Sequence, residues 1–286
     1  MDKKVALVLE GGGAKCAYQV GAIKALEELG YEFTAFSGSS YGAFNIMLYL
    51  TGGTNKLEEY WSNITTRALV IDPVISNFID SFNGDQKDLI GLTAEKLKEI
   101  ADIKEHRRIV TEAYHKQIRE NIDPEKVLSH HKDINVTILE VPNNPSIIAT
   151  VATAMFTNHK LLLPLFLSNS IVGINKHDLT KDNLIDYTIA SASYPTYLPI
   201  LIDNKYYLDG GIYNNIPYQY LLNKGYKDII IIRTNIDAMD YPIMEDEHIK
   251  IITPSRSLGS TINYRQDYIQ ERIKLGYLDT IKKLTD

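Results

Sequence analysis

The stretch Ala35-Phe36-Ser37-Gly38-Ser39-Ser40-Tyr41-Gly42-Ala43-Phe44-Asn45 decides how this chain reads. It places a serine, Ser40, with Gly38 and Gly42 two residues to either side, the pattern G-x-S-x-G. A strand-like run over residues 31–36 precedes it, and the uncharged apolar run 43–50 follows. Strand, tight turn and helix form the setting of a nucleophile elbow, whose turn leaves no room for side chains at its flanks and so takes glycine there. In such a turn Ser40 projects its hydroxyl at the C-terminal edge of a sheet. It also starts the following helix, where unpaired N–H groups favour developing negative charge. On this local context alone, a serine-glycine turn with Ser40 as an ordinary helix N-cap reads equally well. The remainder of the chain has to decide.

Upstream, Val5-Ala6-Leu7-Val8-Leu9 is a continuous apolar run of the kind a strand shows when both its faces are buried in a parallel sheet. It ends at Glu10, and Gly11-Gly12-Gly13-Ala14-Lys15-Cys16 follows. A helix is expected over 17–29, with Val20, Ile23, Leu26 and Leu29 at helical spacing and Gly30 as its stop. Strand, glycine loop, helix, strand, elbow and helix make a βαβα start, which predicts an α/β fold with a parallel sheet covered by helices. The glycine loop fails as a Walker A loop, because Lys15 is followed by Cys16 rather than Ser or Thr. It fails as a dinucleotide fingerprint because Cys16 stands where the last glycine belongs. Three successive glycines fit an oxyanion loop better, since backbone N–H groups unobstructed by a Cβ can point into a site.

Downstream the chain is less regular. Residues 51–72 are mixed and hold the only tryptophan, Trp61, which reads as packing. Residues 71–91 read as loop, and 93–121 as two surface helices. Asp123-Pro124-Glu125 is a helix start, an N-cap followed by proline. His130 and His131 are adjacent, a poor metal pair, and read as a solvated helix end. Residues 134–141 form a further strand. The uncharged stretches 141–158 and 161–175 contain polar residues and prolines and do not resemble a membrane span. A helix over 186–195 ends before Pro195. Residues 206–211 read as a strand ending in Asp209-Gly210-Gly211, residues 228–234 as a buried strand, and 262–284 as an amphipathic helix.

Composition excludes several classes. The 286 residues are 44% hydrophobic and 23% charged, ordinary for a globular protein. The net charge of −6 supplies no basic field for nucleic acid. One cysteine, Cys16, forbids an internal disulfide and fits a reducing compartment. The first apolar run is too short for a signal peptide, so a cytoplasmic protein without a transmembrane span is expected. No His/Cys/Asp cluster has ligand spacing, so neither metal nor cofactor is implied.

Taken together and in this order, Gly11-Gly12-Gly13-Ala14-Lys15, Gly38-Ser39-Ser40-Tyr41-Gly42 and Asp209-Gly210-Gly211 resemble the patatin-like phospholipase family. The resemblance covers about residues 5–235, and Ala190-Ser191-Ala192-Ser193-Tyr194-Pro195 is similar to that family's alanine/serine-rich helix before a proline. It implies a three-layer α/β/α fold with a mainly parallel sheet and a single domain over 1–286, with a C-terminal helical extension over about 236–286. It implies a lipid acyl hydrolase with a Ser–Asp dyad, Ser40 as nucleophile and Asp209 as the acid. An oxyanion hole is implied from Gly11, Gly12, Gly13 and Tyr41, with Lys15, Gly38, Gly42, Gly210 and Gly211 supporting the motifs. The implied partners are a phospholipid or other lipid ester and, transiently, a membrane or micelle surface. Cys16 departs from the family, which has glycine there. At the start of a helix its thiol pKa is lowered; the alternative is a buried, inert thiol.

The chemistry agrees with this. A serine hydroxyl needs a base within hydrogen-bond reach, and a carboxylate is a weaker base than imidazole, so a dyad leans on N–H stabilisation of the oxyanion. Taken alone, Asp209 reads as a turn residue of Asp-Gly. Only His248 follows it in the order a Ser-His-Asp triad would need, inside what reads as an exposed acidic loop. The rival functions are an esterase or acyltransferase on small soluble esters and a non-catalytic lipid-binding module. The apolar runs 147–156 and 161–167 are either core or the surface that faces a lipid aggregate.

Overall fold

The structure, a computed structural model, describes residues 3–64, 104–141, 171–194, 199–236, 243 and 245–285. Strand β1 (Lys4–Leu9) is followed by a short 3-10 turn (Gly13–Cys16), helix α1 (Ala17–Glu28), β2 (Glu32–Ser39) and α2 (Tyr41–Asn63). Next come α3 (Lys104–Asn121), α4 (Pro124–Ser129), β3 (Asp133–Val141), β4 (Ile171–Asn175) and α5 (Leu184–Ser191). The chain continues through β5 (Ile200–Ile202), β6 (Lys205–Asp209), α6 (Tyr218–Asn223), β7 (Ile229–Ile232), β8 (Ile249–Ile252) and α7 (Gln266–Thr285).

The strands form one sheet, hydrogen-bonded in the succession β5 to β6, β6 to β3, β3 to β2, β2 to β1, β1 to β7 and β7 to β8, with β4 also paired to β3. The pairs joining β3, β2, β1, β7 and β8 are parallel. Strands β4, β5 and β6 are antiparallel additions at the β3 end. The sheet is buried on both faces, as the unbroken apolar runs of β1 and β7 require. Leu7, Leu9, Phe36, Ile230 and Ile232 pack with α1, α2 and α5. Ala6, Val8, Ala35, Ile229 and Ile231 pack on the opposite face with Ile216 and Leu221 of the α6 region. The chain is thus a mixed α/β protein with a central sheet flanked by helices.

The register of β3 explains how distant segments meet. Val136 and Thr137 pair at once with β2 and with β4, so these lie on opposite edges of β3. Ile138 and Leu139 pair at once with β4 and with β6, so β6 lies on the same edge as β2. The last β2 residue, Ser39, is opposite Thr137, and the last β6 residue, Asp209, is opposite Ile138. Two strands running in opposite directions therefore end tip to tip, which brings Ser40 and Asp209 together.

Several elements depart from the sequence reading, which named neither β4, β5 and β8 as strands nor α6 as a helix. Strand β2 runs on to Ser39 because its polar residues find partners: Ser37 Oγ donates to Pro217 O (2.7 Å) and accepts from Asn135 Nδ2 (2.9 Å). Helix α2 continues through Asn63 across a break at Gly52 and Gly53, where the sequence reads as mixed. Its second half buries Leu57 and Trp61, and Trp61 stacks on Tyr264 with centroids 6.4 Å apart. Strand β8 extends the sheet beside β7, although four residues next to an acidic run carry little periodic signal. The Asp123 cap forms as expected, accepting from the Glu125 and Lys126 N–H groups. His130 is not simply solvated, since its half-buried ring lies 3.0 Å from Leu50 O. Among the described residues no helix is long and apolar enough to cross a membrane. The loop at 71–91, residues 93–103 of the expected surface helices and the apolar runs 147–156 and 161–167 lie outside the described residues.

Candidate active site

Ser40 adopts φ 54° and ψ −135°, a left-handed geometry rare for a residue with a Cβ. Such backbone costs roughly 1–3 kcal/mol and persists only where the surroundings enforce it. They enforce it here by close packing. A Cβ on Gly42 would fall 2.4 Å from Leu9 O, and one on Gly38 would fall 2.7 Å from Ile46 Cδ1 and 2.8 Å from Ala43 N. The turn is pinned from outside as well. The Ser40 N–H donates to Ser191 Oγ (3.0 Å), and Ser191 Oγ donates to Thr137 O (2.7 Å).

Ser40 Oγ donates to Asp209 Oδ2 at 2.6 Å. The other carboxylate oxygen, Oδ1, accepts from the Gly211 N–H at 2.7 Å. The Asp-Gly turn and the contact to serine are thus one arrangement, in which the turn bond aims the second oxygen at Ser40. Gly210 lets the turn lie against β3, since a Cβ there would fall 2.2 Å from Thr137 O. The Asp209 N–H donates to Ser193 O (3.1 Å). Asp209 is buried, and burial raises its carboxyl from 3.8 to about 7, against the lowering effect of the Ser40 and Gly211 hydrogen bonds. Removal from water thus makes this carboxylate a far better base than an exposed one.

The glycine loop lies against the same point. A Cβ on Gly11 would fall 2.7 Å from Ser40 Cβ and 2.5 Å from Asn215 Oδ1. Asn215 clamps that residue, accepting from the Gly11 N–H at Oδ1 (3.1 Å) and donating from Nδ2 to Gly11 O (3.2 Å). Among the described residues the Gly12 and Gly13 N–H groups have no partner. Gly13 sits at φ 55°, which glycine adopts without strain. Glu10, fully buried, anchors the root of the loop by accepting from the N–H groups of Thr234 (2.6 Å) and Asn235 (3.3 Å) and from Asn215 Nδ2 (3.3 Å). Lys15 is buried and donates to Asn235 Oδ1 (2.5 Å), so it ties the loop to the end of β7.

Cys16 is fully buried, and its thiol donates to Glu10 O at 3.6 Å. Burial, with the Glu10 charge adding, pushes the thiol well above its ordinary value. The lowered pKa expected from the helix start is therefore corrected: desolvation outweighs the helix end, and the side chain packs under the loop without entering it. His248 is also far from this point. It pairs with Asp228 (2.9 Å), and the two residues precede β8 and β7, at the N-terminal ends of the parallel strands. Ser40 lies at the C-terminal ends. Among the described residues no imidazole hydrogen-bonds to Ser40 or Asp209.

Sequence reading brought out Ser40, Asp209 and the glycines. It named Ser191 and Ser193 only as part of a composition and missed Glu10 and Asn215. A buried carboxylate at the end of an apolar strand, and an asparagine six residues after Asp209, are the signals that carry them.

Residues 7–222 match the sequence profile of Patatin-like phospholipase. A lysophospholipase nte1 of Aspergillus terreus is 55% identical over 47 residues, which are 16% of this chain and 3% of that protein. An uncharacterized NTE family protein of Mycobacterium tuberculosis is 35% identical over 75 residues, 26% of this chain and 21% of that protein. The chain thus spans only a small part of these curated relatives. Among solved structures, VipD from Legionella pneumophila superimposes with a TM-score of 0.50 at 15% identity, covering 99% of this chain and 67% of VipD, a likeness of fold alone.

Proposed function

Because the chain belongs to the patatin-like phospholipase family, we propose that it is a serine lipid acyl hydrolase of phospholipase A or lysophospholipase type, with Ser40 as nucleophile and Asp209 as base. The observation that carries this reading is the 2.6 Å hydrogen bond from Ser40 Oγ to a carboxylate that is buried and held from behind by Gly211. As Ser40 Oγ attacks the ester carbonyl, its proton passes to Asp209 Oδ2. The carbonyl oxygen takes up the negative charge. Gly12 and Gly13 supply N–H donors to it, together with the N–H of Tyr41 at the start of α2. The Gly11 N–H is committed to Asn215, so Gly11 serves by admitting Asn215 and Ser40 at short range. Collapse of the intermediate breaks the bond to the alcohol, which leaves with the proton from Asp209. Water then attacks the acyl-enzyme, gives its proton to Asp209 and releases the fatty acid, and Ser40 recovers its proton.

The substrate reading, an acyl ester of a glycerophospholipid or lysophospholipid met at a membrane or micelle surface, draws on family membership. The absence of an internal disulfide fits a cytoplasmic setting. The test is incubation with mixed phospholipids followed by product analysis, alongside labelling by a fluorophosphonate. Free fatty acid should appear, and the label should sit on Ser40 and be absent from Ser40→Ala. A folded protein that neither releases fatty acid nor takes the label would sink the reading.

A further inference from the structure

Behind the glycine loop lies Arg272, on α7 and 3% exposed. Its Nε donates to Leu258 O (2.9 Å), its Nη1 to Ala14 O (3.0 Å) and Asn263 O (2.8 Å), and its Nη2 to Ser260 O (3.0 Å). All four partners are backbone carbonyls, and none is a carboxylate. Burial lowers the guanidinium to about 10, so it stays charged at neutral pH. A cation withdrawn from water without a carboxylate partner is costly. What offsets the cost is geometry, since only a planar group with five donors reaches four carbonyls from separate turns of chain.

Three of those carbonyls belong to residues 258–263, and the fourth belongs to the glycine loop. The same segment receives the Ala14 N–H at Thr261 O (2.7 Å). Thr261 O also lies 2.4 Å from where a Cβ on Gly13 would be. Ala14 is therefore held by both its N–H and its C=O from outside the loop. That fixes the peptide following Gly13, and with it the orientation of the two glycines before it. Residues 258–272 lie beyond the family match, so this bracket comes from a part of the chain that the family profile does not cover.

We propose that Arg272 is a positioning residue for the oxyanion loop: by bracketing Ala14 against residues 258–263, it holds the Gly12 and Gly13 N–H groups where the tetrahedral intermediate needs them. This rests on the reading of Gly12 and Gly13 as oxyanion donors. The attachment of α7 does not depend on Arg272 alone. A Cβ on Gly276 would fall 1.9 Å from Tyr18 O, so the helix lies directly on α1, and Tyr18 Oη also donates to Asp279 (3.1 Å).

The test uses Arg272→Lys and Arg272→Met in the full chain. Lysine keeps the stem and the charge but loses the fork. With a short soluble ester, kcat should fall by about tenfold or more while KM stays within about twofold, because an oxyanion donor acts in the transition state. Labelling of Ser40 by a fluorophosphonate should slow in parallel. Cys16, the only thiol and fully buried under the loop, reports the loop independently. Its alkylation should speed up by about tenfold in both variants, since its protection follows local opening. Folded variants with wild-type kcat, a loss confined to KM, or a Cys16 as protected as in the wild type would each overturn the proposal. Failure of both variants to fold would also overturn it, by making Arg272 a determinant of global stability. If the wild type proves inactive and unlabelled, the catalytic reading fails, while Cys16 alkylation still decides whether Arg272 holds the loop.

Discussion

Asp209→Asn separates the chemistry of the site from its cost. The folded protein holds the Asp209 carboxyl at about 7 against 3.8 for the free group, so between those values the folded state keeps a proton that the unfolded chain has released. Stability contributed by this group is present below about pH 4 and is lost as pH rises through about 7. Integrated over that window, the burial of Asp209 costs about 4 kcal/mol at pH 8.5, between about 1 and 2 kcal/mol at pH 5 and almost nothing at about pH 3. Asparagine has nearly the same shape, can still accept from Gly211, and carries no charge to desolvate. At roughly 2 °C per kcal/mol for a domain of this size, the variant should melt roughly 8 °C above the wild type at pH 8.5 and roughly 3 °C above it at pH 5. Any fixed loss from the altered bond to Ser40 shifts both values equally, so the pH dependence of the difference is the quantity to read. Thermal unfolding by circular dichroism at several pH values measures it, and hydrolysis of a soluble ester is measured on the same samples. The variant should be inactive throughout. The wild type should gain kcat/KM as pH rises through about 7, since the proposed mechanism needs the carboxylate ionised to act as base. A melting difference that does not change with pH, or a variant that turns over, would refute the reasoning.

Other expectations follow from the packing. Gly12→Ala puts a Cβ 2.5 Å from Thr234 Oγ1, so the loop must shift, and kcat should drop by about a hundredfold in a protein that still folds, as steady-state kinetics would show. Gly21→Ala puts a Cβ 1.8 Å from Ile273 O and should cost about 3 kcal/mol of stability by urea titration, because neither helix backbone can yield cheaply. Cys16 should resist bulky thiol reagents in the native protein and react once it is unfolded, as mass spectrometry of the alkylated chain would reveal.

The βαβα start, the strand β7 and the motifs that hold Ser40 and Asp209 were legible in the residues. Val5–Leu9 and the four isoleucines of β7 read as buried strands because a strand covered on both faces must be apolar throughout. Gly38 and Gly42 marked the elbow because only glycine fits where a turn meets other backbone. These are local requirements, and local sequence records them. The contact between Ser40 and Asp209 is of another kind. It depends on β2 and β6 ending tip to tip along one edge of β3, a register set by pairings between segments about 100 and about 70 residues apart. The raised carboxyl of Asp209 and that of the Cys16 thiol also come from burial, which distant parts of the chain supply. Asn215 and Arg272 bind backbone groups rather than side chains, so no residue pattern at the glycine loop announces them. The buried strands and the glycines of the turns are written in the local sequence; which side chains meet, and how strongly each holds its proton, is decided by long-range packing, because desolvation and strand register are properties of the folded whole.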